Sequence, residues 1–169
     1  MLSGLPNLHS ILGDSSLRLS QLATFFEAVK DKPIRDLSIQ ISTDVAIPVI
    51  AGLPGLETLS ISWAHNIYEE LPPPRVDLNL CDLSMELIQP SIDTLRDLSL
   101  DFSDRADQEG AALNLELLKQ AKLHTFSYTV TSTNTDVITQ LPGNLAHVKN
   151  LSLLWKSWPG HGQPGFNVS

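Results

Sequence analysis

One hexapeptide pattern recurs along the chain, and it constrains the fold more tightly than any other feature of the sequence. Five copies carry apolar residues at positions one, four and six: Ile34–Ile39, Leu56–Ile61, Leu95–Leu100, Leu123–Tyr128 and Val148–Leu153. Two weaker copies, Asp14–Leu19 and Arg75–Leu80, keep the last two apolar positions and lose the first. With position four as the register mark, the series reads Leu17, Leu37, Leu59, Leu78, Leu98, Phe126 and Leu151, in steps of 20, 22, 19, 20, 28 and 25 residues. Self-similarity at a near-constant period of this length signals an array of units, each burying its apolar side against the next.

Each hexamer reads as a short strand with one buried side, because apolar residues alternate beyond it, as in Leu37/Ile39/Ile41, Leu59/Ile61/Trp63 and Leu98/Leu100/Phe102. Between strands the spacing turns helical. Leu22, Phe25, Phe26 and Val29 fall at i, i+3, i+4 and i+7 behind Ser20 as N-cap, and Pro33 ends that helix. A second helix is expected from Gln108 to Gln120, and one-turn helices over 44–50, 84–89 and 136–141, kept short by Pro48, Pro90 and Pro142. A strand followed by such a return must come back parallel to its predecessor. The reading is therefore α/β: a right-handed solenoid of seven parallel strands on the concave side, with helices and turns on the convex side, over residues 1–158. Residues 159–169, rich in Gly and Pro, read as a flexible tail.

The hexamer matches the Leu-x-x-Leu-x-Leu core of leucine-rich repeats. Its Leu-x-x-Leu-Ser-Leu form, with uneven repeat lengths, resembles the repeat region of F-box/leucine-rich-repeat proteins in the divergent form expanded in fungi, over residues 5–155. That resemblance implies a non-enzymatic surface that holds another protein, while an N-terminal F-box recruits a ubiquitin ligase through a Skp adaptor. No F-box is recognisable ahead of Leu17, so the expectation is either a fragment or a repeat domain without the adaptor function. A purely structural repeat fragment is the alternative reading, and a hydrolase the distant one. The chain also departs from the Asn or Cys that many leucine-rich repeats carry three residues after the sixth position; here stand Leu22, Ser42, Ala64, Leu83, Ser103, Thr131 and Lys156. Irregular turns are expected in consequence.

Charge and cysteine content narrow the partners. A net charge of −8 opposes nucleic-acid binding, which depends on Lys and Arg neutralising phosphates, and it disfavours anionic membranes for the same reason. Neither a leader-like start nor an apolar run of about 18 residues is present. Cys81 is the single cysteine, which fits a reducing, cytoplasmic setting better than the disulfide-capped repeats of secreted proteins. The Asn-x-Ser matches at Asn150 and Asn167 matter only outside the cell.

Gly160, Gly162 and Gly165 spell Gly-x-Gly-x-x-Gly, but only four residues follow, too few for the helix that would hold a pyrophosphate. No cofactor is expected. His9, His65, His124, His147, His161 and Cys81 show no metal-ligand spacing, and Asp101–Glu109 lacks the carboxylate pattern of a calcium loop. Ser99, Ser127, His124 and Asp97 stand on neighbouring strands, yet a flat sheet supplies neither pocket nor oxyanion donors.

What remains is a surface. Positions three, five and seven of each hexamer should point away from the core, and position five is Ser in five of seven rows. The candidate contact residues are Asp36, Ser38, Ser60, Asp77, Asn79, Asp97, Ser99, Asp101, Ser127 and Ser152. Short hydroxyls permit close approach and both donate and accept. Asp77, Asp97 and Asp101 on neighbouring rows would suit a basic peptide; a solubilising face is the plainer reading. The array ends, Leu2, Leu5, Leu8 and Ile11 on one side and Leu154, Trp155 and Trp158 on the other, are apolar, so self-association through them is expected.

Overall fold

The computed structural model of the chain describes residues 7–42, 52–64, 80–102, 115–130, 145 and 147–155. In chain order these form β1 (Ser10–Arg18), α1 (Leu19–Val29), β2 (Asp36–Ser42), β3 (Thr58–Ala64), α2 (Leu80–Ile88) with a 3-10 turn over Gln89–Ser91, β4 (Asp97–Phe102), α3 (Leu115–Gln120), β5 (Thr125–Val130) and β6 (Asn150–Trp155). The six strands make one sheet in the order β1-β2-β3-β4-β5-β6, and every adjacent pair is parallel. The architecture is α/β, built on a parallel sheet whose strands stand in sequence order.

The hexamer explains the register. Its fourth residues align across the sheet as Ile11↔Leu37↔Leu59↔Leu98↔Phe126↔Leu151. In β2, β3 and β4 the inward side chains Leu37, Ile39, Ile41, Leu59, Ile61, Trp63, Leu98, Leu100 and Phe102 are at most 3% exposed. First-position residues Ile34, Leu56, Leu95 and Leu123 are buried just ahead of their strands. A one-residue slip between any two strands would carry the inward set to the opposite face, so burial locks the register. At the outer strands the equivalent Leu8, Ile11, Leu151 and Leu153 are only partly buried against this core.

A second device repeats just before each strand. The backbone carbonyl of His9 accepts from the N–H groups of Arg35 and Asp36 (2.8 and 3.1 Å). The Arg35 carbonyl does the same for Glu57 and Thr58, Glu57 for Arg96 and Asp97, Arg96 for His124 and Thr125, and His124 for Lys149 and Asn150. Five forked carbonyls thus link the second hexamer residues of the six described units, satisfying backbone donors that would otherwise lack partners where the chain turns into the sheet.

Two expected strand positions are corrected. The copy Arg75–Leu80 does not insert a strand between its neighbours, since β3 pairs directly with β4 through Thr58↔Asp97 to Ser62↔Asp101. Its last residue, Leu80, instead opens α2. The reason is visible in the sequence: position one is Arg, and Leu83, Leu87 and Ile88 follow Leu80 at i+3, i+7 and i+8, a helical period that wins over a two-residue strand signal. The described strands number six. At the first unit the mark moves from Leu17 to Ile11, because Leu17 lies opposite Ile41. Leu8-His9-Ser10-Ile11 is the true first copy, hidden by Gly13 at position six. Between Leu12 and Ser16 β1 bulges: Leu12 pairs with Ser38 and Ser16 with Gln40, four residues against two. The excess is even, so the in-and-out alternation survives it.

The connecting segments close the core. In α1, Leu22, Phe26 and Val29 are buried, as the helical spacing required. The helix begins at Leu19, however, and the N-cap is Arg18, whose N–H donates to Gln21 Oε1 at 3.1 Å, so Ser20 is not the cap. The helix expected over 84–89 starts earlier and forms α2, and of that expected over 108–120 the described part is α3. The short helices expected at 44–50 and 136–141 and the tail 159–169 lie outside the described residues. α2 packs against β3, where the indole N–H of buried Trp63 donates to buried Ser84 Oγ at 3.0 Å. Ser91, 1% exposed, fastens the turn before β3: its Oγ donates to the Leu53 carbonyl (2.6 Å) and accepts from the Leu56 N–H (2.9 Å). Thr94 Oγ1 adds a bond to the Leu56 carbonyl at 2.8 Å.

Two glycines in that turn segment have separable roles. A Cβ on Gly52 would lie 2.0 Å from the Leu87 carbonyl oxygen, a backbone atom that no rotamer change can move. Gly55 has φ +81° with open space around it, so only its conformation resists substitution. Gly52→Ala is expected to destabilise the chain by about 1–3 kcal/mol or to dislodge α2, and Gly55→Ala to cost about 1–2 kcal/mol. Urea denaturation followed by circular dichroism checks both; an unchanged midpoint for Gly52→Ala would contradict the seating of α2.

Candidate functional site

The face of the sheet opposite the core is built by positions three, five and seven of each unit, and strand pairing sets them in columns. Position five gives Leu12, Ser38, Ser60, Ser99, Ser127 and Ser152 on consecutive strands. Five serines thus stand in one unbroken line from β2 to β6. With neighbouring parallel strands about 4.8 Å apart, the line is about 19 Å long. Position three gives Ser10, Asp36, Thr58, Asp97, Thr125 and Asn150 on one flank, and position seven gives Ser16, Gln40, Ser62, Asp101, Thr129 and Leu154 on the other.

The line depends on the direct pairing of β3 and β4. A strand inserted between them would have split Ser60 from Ser99. Asp77 and Asn79 themselves lie outside the described residues, and the row between Thr58 and Asp97 that sequence reading assigned to them does not exist. Asp97 consequently adjoins Thr58 and Thr125 rather than another carboxylate. Like charges placed directly opposite would repel, and the observed alternation of acidic and hydroxyl residues avoids that.

Burial across the face is graded. Asp36, Ser38, Ser60, Asp97, Ser99, Asp101 and Ser127 are half-buried and Ser152 is exposed. Thr129 and Ser42 are nearly enclosed, and Ser42 Oγ donates to the Leu17 carbonyl at 3.5 Å. Two large apolar side chains break the polar character of the face: Leu12 on β1, 76% exposed, and Leu154 on β6, 38% exposed. Leu154 was recognisable from its position; Leu12 was hidden by the misplaced first copy.

The other groups considered from sequence do not converge. Ser99 pairs with Ser127 and Asp97 with Thr125, while His124 precedes β5 and is exposed at the sheet margin. Along the strand His124 and Ser127 are three residues apart, about 10 Å. Among the described residues no group of three or more His, Cys, Asp or Glu side chains could hold a metal ion. No described helix is long and apolar enough to cross a membrane.

A row that sequence reasoning passed over lies beside this face. The second hexamer residues His9, Arg35, Glu57, Arg96, His124 and Lys149 stack at the strand starts, the first five carrying the forked carbonyls and Lys149 donating to the last of them. Arg35 pairs with Glu57 (3.0 Å), His9 Nδ1 meets the Pro33 carbonyl (2.9 Å), and Arg96 donates to the Lys122 carbonyl (3.3 Å). The signal was available, since position two is charged or His in all five strong copies.

Compared with family models, with curated proteins and with solved structures, the chain finds no match in any of the three.

The serines divide into fastening and surface groups, and their substitutions should separate accordingly. Ser91→Ala is expected to destabilise by about 1–3 kcal/mol, leaving the Leu53 carbonyl and Leu56 N–H without their buried partner. Ser99→Ala, on the half-buried face, is expected to change stability by less than about 0.5 kcal/mol. Equal losses in chemical denaturation would show that the serine column is part of the framework rather than a surface.

Proposed function

We propose that the chain is a leucine-rich-repeat-type solenoid that binds another protein through the polar face of its sheet. The observation that carries this reading is the uninterrupted serine column Ser38–Ser60–Ser99–Ser127–Ser152, flanked by Asp36, Asp97 and Asp101. Hydroxyls of this size let a backbone or a long side chain lie close to the sheet, and the three carboxylates favour a basic peptide segment. Sequential parallel strands and irregular helical returns are what such a repeat array requires, which supports the solenoid form. The hexamer's likeness to F-box/leucine-rich-repeat sequences supports a more specific role, the substrate-holding part of a ubiquitin-ligase adaptor, without enzymatic chemistry of its own. The single cysteine of the sequence supports a cytoplasmic site of action.

A titration with a Lys/Arg-rich decapeptide, followed by amide chemical shifts, tests the binding face. Expected are shifts clustered at Asp36, Ser60, Asp97, Ser99 and Asp101, and weaker binding when Asp97→Asn and Asp101→Asn are combined. Shifts confined to α1 and α2, or none, would reject the polar face as the binding surface.

The exposed leucines at the outer strands favour a second reading, self-association. Leu12 and Leu154 sit on the same face of the two edge strands, where an apolar side chain beside an unpaired strand promotes contact between molecules. Sedimentation velocity at high micromolar concentration is expected to show dimers or larger species that recede when Leu12→Ser and Leu154→Ser are combined. A monomer throughout would exclude it.

A further inference from the structure

The margin of the sheet where β4, β5 and β6 begin gathers basic side chains in a chain whose net charge is −8. Arg96, His124 and Lys149 occupy the forked-carbonyl row, which fixes their backbones one strand spacing apart. Lys122 and His147 stand two residues earlier in the last two units, so each of those units contributes a pair. Lys122, His124, His147 and Lys149 are exposed. The row also divides into two halves. In the first, Arg35 is paired with Glu57 and His9 is tied to the Pro33 carbonyl. In the second, positions two and zero of the units hold no carboxylate; Arg96 donates to the Lys122 carbonyl and Thr94 to the Leu56 carbonyl. Among the described residues no ion pair or side-chain hydrogen bond engages Lys122, His124, His147 or Lys149.

We propose that this strip, Arg96, Lys122, His124, His147 and Lys149, docks an acidic peptide segment of a partner protein. Three strand starts at about 4.8 Å spacing extend over about 10 Å, the length of three extended residues. Cations held at fixed backbone positions meet successive carboxylates there, and the imidazoles add hydrogen-bond donors. A peptide fits better than nucleic acid: the strip contains no Phe, Tyr or Trp for bases to stack on, and the net negative charge of the chain opposes a long polyanion. The inference stands apart from the polar-face reading, because the two surfaces take peptides of opposite charge.

Fluorescence anisotropy of the full chain with a labelled Glu/Asp octapeptide provides the test. The native chain is expected to bind the probe with an affinity that falls as salt rises. Combining Lys122→Gln with Lys149→Gln should weaken binding at least about five-fold while the melting temperature stays unchanged. Lys30→Gln, which removes a cation at the C-cap of α1 paired with Glu27, should leave binding unaltered. The proposal is overturned if the native chain does not bind the octapeptide, if the double variant binds as well as the native chain, or if labelled oligothymidylate of equal length binds more tightly.

Discussion

The structure depends on the requirement that each strand satisfy its backbone from the unit before and the unit after. Parallel pairing between consecutive strands meets that requirement within the sheet, and the forked carbonyl at position two meets it where the chain turns in. Neither device works unless the units stay in register. The inward residues enforce this, since a slip by one would expose Leu59, Ile61 and Trp63 and bury Thr58, Ser60 and Ser62. Register then has consequences on the other face. Because the hexamer repeats Ser at position five, a register selected for packing also assembles the serine column. Core and surface are two products of one alignment.

That coupling explains which parts of the fold were legible in the sequence. Strands centred on Leu37, Leu59, Leu98, Phe126 and Leu151 carried both the hexamer and the alternation that follows it, and each forms where expected. The two weak copies failed for different reasons. Arg75–Leu80 lacks the apolar first residue that elsewhere is buried beneath the turn, and the helical spacing from Leu80 to Ile88 captured its end. Asp14–Leu19 lies in a real strand up to Arg18, but the alignment turns on a bulge between Leu12 and Ser16 that no local pattern announces. Ser20 illustrates a smaller limit: a Ser before an apolar helix suggests a cap, yet the glutamine one place later reached the backbone instead.

The candidate site was readable in composition and misread in arrangement. Ser38, Ser60, Ser99, Ser127 and Ser152 were identified from their shared position, and strand pairing brings all five together. Asp77 and Asn79 entered the same reading only through the seventh strand, and they left it when β3 paired with β4. Buried serines were the part that spacing could not disclose. Ser84 and Ser91 are enclosed because a Trp indole and a turn backbone need partners inside the core, and those needs arise between segments distant in sequence. The basic margin is not legible in the apolar periodicity, because position two reports its character only when the units are stacked.

The central claim is that Ser60 and Ser99 are direct neighbours, with no strand between them, so that the serine column is continuous. Nuclear Overhauser contacts in the isotopically labelled chain test it most directly. The account predicts cross-strand contacts linking backbone protons of Leu59, Ser60 and Ile61 with those of Leu98, Ser99 and Leu100. Contacts from both segments to Asp77, Leu78 and Asn79, with none between Ser60 and Ser99, would contradict it and restore a seventh strand.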